Sequence, residues 1–312
     1  MKRSLFVASA LAASATPAFA QTPAPLTLRV SGTGADDVAP LLYAQKMGYY
    51  RAAGFETTYE RSNSGAAAVA AIVGGALDIG KSSMGSLITA RAHNVDVKLL
   101  AGGALFRNLN GKSEVLLLVA PDSPIRTGKD FNGKTISVPS LGDQNSMAIK
   151  AWVDAHGGDS KTLSLVEIPS SAAVAALGQG RVAAVVIVPP FGARGIAEGK
   201  AKMIAAPFGA IAPRFLETAF FTTGDYAAKH RDLMLRFGKI TADAAAYCNG
   251  HPAEIADILS PFSGIPAAAI LDAGMSYFAT SVDPRDIQPL IDAMAKYGLI
   301  DKRFEAADFV FK

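Results

Sequence analysis

A chain of 312 residues that is 50% hydrophobic and only 18% charged carries enough apolar material for two cores, which excludes a disordered protein. Its 30 basic and 27 acidic residues nearly cancel, so the basic excess that nucleic acid or an anionic membrane requires is missing. The single cysteine, Cys248, excludes an intrachain disulfide, and His93, His156, His230 and His251 lack metal-ligand spacing, so neither a metal nor a cofactor is expected.

The chain opens as a secretory leader. Lys2 and Arg3 precede an uncharged apolar run from Leu5 to Ala15, and Ala18-Phe19-Ala20 supplies a small-x-small cleavage signature before Gln21. The run is too short and wrongly flanked for a membrane span. Without residues 1–20 there remain 28 basic and 27 acidic residues. No cysteine follows the cleavage point, so the expectation is a periplasmic protein with no lipid anchor.

The alternating residues Leu26 to Val30 predict a first strand, broken by Ser31-Gly32-Thr33-Gly34. A helix from about Val38 to Tyr50 stops at Gly54, and a strand follows over Phe55 to Glu60. Ser62-Asn63-Ser64-Gly65 then introduces an alanine-rich helix ending at Val73, and Leu77-Asp78-Ile79 reads as a buried strand. Ser82-Ser83 is expected to start a helix through Arg91, with Val97 to Ala101 as the next strand. The second half repeats this plan: strand Thr135 to Pro139, turn Ser140 to Asp143, helix Gln144 to His156, strand Leu163 to Ile168, helix Ala172 to Leu177, strand Ala184 to Val188. Strands alternating with helices of this length predict βαβ units and a largely parallel sheet.

Val69-Ala70-Ala71 recurs as Val174-Ala175-Ala176, and Gly75 as Gly180, at a constant offset of 105 positions. Coinciding with the same order of elements, this echo predicts two similar α/β lobes. Two apolar strands, Glu114 to Pro121 and Thr218 to Thr223, are expected to cross between them. That places a first lobe over 21–118 plus 224–312 and an inserted second lobe over 119–223. Helices are expected over Asp225 to Cys248, Pro252 to Leu259, Pro266 to Phe278 and Pro284 to Tyr297, with proline tolerated in the first turns.

The run APLLYAQKMGYYRAAGFE (39–56), the Ser64-Gly65 turn, GGALDIGKSSMGSLITA (74–90), DFNGKTISVPSLGDQNSMAIKAW (130–152) and VPPFGARGIAEGKAK (188–202) together carry a resemblance. In order and spacing they resemble the alkanesulfonate/nitrate/taurine-type periplasmic substrate-binding proteins, relatives of the thiamine-pyrimidine precursor binders. The resemblance implies a two-lobed type II periplasmic-binding-protein fold with two hinge strands. It also implies a monomer that delivers a small molecule to an ABC permease in the inner membrane by transient docking. The yeast pyrimidine synthase branch carries a Cys-rich motif with no counterpart here.

In open α/β sheets ligands sit beyond the carboxyl ends of strands, where helix N-termini offer unpaired N–H groups to an anion. Five turns qualify: Thr33 and Gly34; Ser64 and Gly65; Ser82, Ser83 and Met84; Ser140, Leu141, Gly142 and Asp143; and Pro190 with Phe191. The serines could equally be only N-caps. Phe106, Phe191 and Phe220 are candidate walls for an aromatic ligand, although a Phe is more often core. Arg107 is the best candidate partner for a carboxylate or sulfonate, ahead of Arg194 and Arg214. Asp143, and the pair Asp36-Asp37, would repel an anion and suit a ring N–H or an amine.

The leading expectation is a receptor for a small organic anion, a sulfonate or an aromatic carboxylate, that works by hinge closure without catalysis. The alternative is a pyrimidine, flavin or other heteroaromatic ligand. An enzyme would need a base–nucleophile pair, and the candidate for it is Cys248 with His251, three residues on.

Overall fold

The computed structural model describes residues 26–62, 64–108, 115–188 and 191–312. The expected leader, Asn63 and Pro190 lie outside these residues. In chain order β1 (Leu26–Gly32) leads to α1 (Ala39–Lys46), α2 (Tyr49–Ala52), β2 (Phe55–Arg61), α3 (Gly65–Val73), β3 (Ile79–Ser83), α4 (Met84–Ala92) and β4 (Val97–Gly102). A short β5 (Leu105–Arg107) precedes β6 (Leu116–Val119), β7 (Thr135–Val138), α5 (Gln144–Ala155), β8 (Ser164–Glu167), α6 (Ser170–Gly178), β9 (Ala184–Ile187), α7 (Phe191–Ala197) and β10 (Lys202–Ala205). β11 (Arg214–Leu216) and β12 (Thr218–Thr223) follow, then α8 (Gly224–Lys229), α9 (Arg231–Gly250), α10 (Pro252–Ser263), α11 (Ala267–Ala273) and α12 (Pro284–Lys296).

The fold is two-lobed. One five-stranded sheet has the order β2-β1-β3-β12-β4, and the other β10-β6-β9-β7-β8. In the first, β2, β1 and β3 are parallel and β12 runs against its neighbours; in the second, β8, β7 and β9 are parallel and β6 is reversed. Both apolar runs expected to cross between lobes are therefore sheet strands. A four-residue run of apolar residues reads the same whether it is a central strand or a bridge. The antiparallel pair β5/β11 is what lies between the sheets, pairing Leu105 with Leu216, Phe106 with Phe215 and Arg107 with Arg214.

Helix ends follow local chemistry. Asp283 caps α12 by accepting from Arg285 N at 2.9 Å, with Pro284 at the first helical position. Ile287, Leu290, Ile291 and Met294 then recur on one face and are fully buried, each stabilising the fold by about 1.5–3 kcal/mol. The single helix expected over Val38 to Tyr50 is divided by Gly48, at φ 73°. Ser82 and Ser83 close β3, and Ser83 also caps the helix expected there, α4, its Oγ accepting from Ser86 N. A core cluster runs continuously from Leu87 and Ile88 of α4 through Met147 and Trp152 of α5 to Ile291 and Met294 of α12. This packing fixes the starts of α4 and α5 against each other.

Candidate functional site

The carboxyl ends of β1, β2 and β3 converge. Thr33, half-buried after β1, accepts a hydrogen bond on its carbonyl from the Tyr59 hydroxyl of β2 at 2.7 Å. Ser64 caps α3, its Oγ accepting from Ala67 N at 3.1 Å. A side chain cannot be accommodated at Gly65, because a Cβ there would stand 2.3 Å from the Ser82 Oγ and 3.3 Å from the Ser86 Oγ. The Ser82 hydroxyl thus lies against the backbone that opens α3. It is buried, with Ser82 only 2% exposed, and has no hydrogen-bond partner among the described residues. Among those residues the N–H groups of Gly65 and Ala66 also meet no acceptor. A buried hydroxyl and two free amides at a helix start form an acceptor-seeking corner.

The start of α4, by contrast, is occupied. Met84 N donates to the Glu217 carbonyl at 2.8 Å, Gly85 N to the Gln144 Oε1 at 3.0 Å, and Ser86 N to the Ser83 Oγ at 3.2 Å. Gln144 Nε2 reaches the same Glu217 carbonyl at 3.1 Å. A Cβ at Gly85 would lie 2.7 Å from Gln144 N. Ser83 therefore caps α4, the Met84 amide is tied to Glu217 between β11 and β12, Gly85 alone of these bonds α5, and Met84 is buried.

The second lobe's turn is closed by its own carboxylate. Asp143 accepts from Asn145 N at 2.8 Å, Ser146 N at 3.2 Å and Asn145 Nδ2 at 2.8 Å. Burial pushes its carboxyl up to about 6 against these stabilising bonds. Ser140 is half-buried, and its carbonyl accepts from the Ser146 hydroxyl at 2.9 Å. Leu141 is exposed and its N–H donates to Glu167 Oε2 at 3.1 Å; Gly142 makes the turn at φ 72°. Asp143 is a helix cap whose oxygens are engaged by the protein.

Two of the three phenylalanines are core residues. Phe106 packs edge-on against Phe208, with centroids 5.7 Å apart, and tilted on Phe215 at 5.0 Å. Phe220 is fully buried against Phe237 at 5.8 Å. Strand alternation turns each ring inward, a choice the sequence leaves open when both neighbours are also apolar. Phe191 is half-buried at the start of α7, packed on the core formed by Ala173 and Leu177. Arg107 lies on β5 with its Cζ 3.2 Å from the Tyr277 ring centroid, and its buried Nε has no partner among the described residues. Arg214, its opposite in register, is held bidentate by Asp286 at 2.6 and 2.8 Å, and Arg194 by Glu198 at 2.7 Å.

Beneath the first turn lies a buried polar knot that sequence reasoning did not assemble. Lys81 of β3, 1% exposed, is ion-paired to Asp37, which also accepts from the Thr218 hydroxyl. Thr218 Oγ1 in turn accepts from Ala104 N at 2.7 Å, tying the knot to the entry of β5. Asp36 accepts from the N–H and hydroxyl of Ser276 at 2.7 and 2.8 Å. Burial, with Asp37 alongside, raises the Asp36 carboxyl. The signal available was the lysine itself, since a charge inside the run LDIGKSS needs a buried acid. Arg61, the last residue of β2, was likewise passed over although it directly precedes the Ser62–Gly65 turn.

Cys248 and His251 do not form a catalytic pair. The thiol is buried, which pushes it up to about 12, while the His251 ring stacks on Tyr247 at 3.8 Å and Nδ1 contacts the Tyr247 carbonyl. Among the described residues no cluster of three His, Cys, Asp or Glu side chains could hold a metal.

No curated protein matches this chain by sequence. Solved structures do match by fold. The alkanesulfonate-binding protein SsuA from Xanthomonas axonopodis pv. citri, bound to MOPS, superposes with a TM-score of 0.74 at 20% identity, covering 92% of this chain and 98% of its own. The periplasmic aliphatic sulphonate-binding protein SsuA from Escherichia coli gives 0.74 at 18% identity with the same coverage. The periplasmic nitrate-binding protein NrtA from Synechocystis PCC 6803 gives 0.73 at 15%, covering 90% and 84%. The sequence profile of the NMT1/THI5-like family matches residues 35–255, a span holding every strand from β2 to β12 and four of the five strand-to-helix turns, the first turn at Thr33 and Gly34 lying just before it, and the chain belongs to that family.

Proposed function

We propose that this protein is a periplasmic substrate-binding component of an ABC importer that takes a small organic anion, a sulfonate or an aromatic carboxylate. The observation that carries the reading is the open corner at the start of α3, where, among the described residues, the Ser82 hydroxyl and the Gly65 and Ala66 amides lack acceptors. Donors fixed in this way suit an oxyanion, because the helix end adds a partial positive charge and the hydroxyl adds a third bond. The fold shared with sulfonate- and nitrate-binding proteins supports the same class of ligand.

The acids that favoured a heteroaromatic ligand are spoken for: Asp36 by Ser276, Asp37 by Lys81, and Asp143 by Asn145 and Ser146. In the proposed cycle the anion docks on the first lobe, the second lobe closes over it across the β5/β11 pair, and the closed form docks on a permease. Binding the closed state more tightly than the open one is what gives the ligand its leverage on that equilibrium.

The test is a thermal-shift screen of refolded, ligand-stripped protein against ethanesulfonate, MOPS, benzoate, a pyrimidine and a flavin. Stabilisation by a sulfonate or by benzoate is expected, reaching about 2.7 kcal/mol at a hundredfold excess over the dissociation constant. Stabilisation confined to the heterocycles, or turnover of any bound compound, would overturn the proposal.

A further inference from the structure

We propose that Arg61 makes this cleft selective for doubly acidic ligands, by pairing with a second carboxylate or sulfonate while the first sits at the start of α3. The inference rests on the anion reading and specifies its substrate class.

Arg61 ends β2 directly opposite Gly32 in the parallel register, so it stands on the same edge of the sheet as the Ser64–Gly65 turn. It shares a strand face with Phe55 and Tyr59, which pack against the α1 and α10 side, whereas α3 buries Ile72 on the other side. Arg61 and the α3 start thus bracket the end of β2 from its two faces. The side chain is held in place. Its Cζ lies 4.3 Å from the Phe262 ring centroid, and its Nε would be 3.4 Å from a Cβ at Gly34. A guanidinium stacked in this way has lost much of the freedom that a ligand would otherwise have to freeze.

Its charge is also uncommitted. Among the described residues no carboxylate lies within ion-pair distance of Arg61, while the neighbouring cation, Lys81, is locked to Asp37. The preceding residue, Glu60, points to the opposite face of the strand. An exposed, oriented and unpaired guanidinium at the rim of an anion site matches a planar acid group bidentately. Distance along the chain separates it from the α3 corner by the turn alone, which suits an acid at each end of a short carbon skeleton.

The probes are propane-1-sulfonate and 3-sulfopropanoate, which share a three-carbon chain and differ in the second acid. Titration calorimetry of the full mature chain is expected to show the dianion binding at least tenfold tighter. Arg61→Gln should abolish that preference while leaving propane-1-sulfonate within about twofold, and Arg61→Lys should restore part of it. A wild-type protein that binds the monoanion without preferring the dianion would overturn the role of Arg61 and leave the anion reading standing. So would an Arg61→Gln variant that weakens both probes equally, since that places Arg61 on the shared sulfonate. Failure of the wild type to bind either probe would overturn the anion reading and this inference together.

Discussion

The two lobes are built alike and finished differently. α3 and α6 span Gly65–Val73 and Ser170–Gly178, 105 positions apart, and each is followed by a glycine at positive φ, Gly75 and Gly180. The same turn bonds recur, Ala76 N to the Ala71 carbonyl and Arg181 N to the Ala176 carbonyl. β1 pairs with β2 from Leu26 and Phe55, and β7 with β8 from Thr135 and Ser164, so even the register repeats. Yet among the described residues the first lobe leaves α1 without a side-chain cap and places at α3, capped by Ser64, an unpartnered Ser82 hydroxyl and an arginine without an ion pair, whereas the second lobe caps α5, the counterpart of α1, with a buried carboxylate and leaves α6, the counterpart of α3, without a side-chain cap. One scaffold has been given opposite electrostatic finishes. In the proposed site, repeated topology sets where a ligand can sit, and the capping chemistry decides which lobe receives its charge.

The largest perturbation should come from breaking the knot that only the first lobe has. Lys81→Met leaves Asp37 buried without its cation and is expected to cost about 3–5 kcal/mol in urea unfolding. A loss below about 1 kcal/mol would show that Asp37 is satisfied without the lysine.

Asp143→Asn tests the second lobe's finish. A carboxyl whose folded value, about 6, lies above its ordinary value binds its proton more tightly when folded. Its contribution to stability is therefore intact below the ordinary carboxylate range and falls as pH rises to about 6, by up to about 3 kcal/mol. Asparagine also caps helices well, and the Asn145 Oδ1, unpartnered among the described residues, can accept from the new amide. The variant should match the wild type at pH 4 and melt higher at pH 8. Equal melting at both values would place the Asp143 carboxyl in its ordinary range.

Gly85→Ala probes the contact where the lobes meet. The new methyl would press on Gln144 N and should cost about 1–3 kcal/mol of packing. It should also expand the protein in X-ray scattering by holding α4 and α5 apart. Unchanged dimensions with unchanged stability would show that the contact yields freely.

Much of this was legible in the chain. The offset echo of Val69-Ala70-Ala71 anticipated two lobes, and Ser64 and Asp143 stand where their capping preference put them. Strand roles were less legible, because Leu116 to Val119 and Thr218 to Thr223 are apolar on both faces and carry no mark of which sheet they join. Phe106 and Phe220 failed as ligand walls for the same reason. The Lys81–Asp37–Thr218 knot joins residues up to 181 positions apart, and no local pattern records such a meeting. Whether a serine caps a helix or faces a ligand depends on which backbone comes to lie beside it, as Ser83 and Ser82 show at adjacent positions.

The most direct measurement is on Ser82→Ala, comparing ligand-free stability with affinity for a sulfonate that binds the wild type. A buried hydroxyl without a partner burdens the empty protein, so its removal should leave stability unchanged or raise it by about 1 kcal/mol. Affinity should fall about tenfold, because the same hydroxyl finds its acceptor only in the ligand. A variant that loses stability while binding the sulfonate as tightly as the wild type would place the Ser82 hydroxyl in the service of the fold and contradict the proposed site.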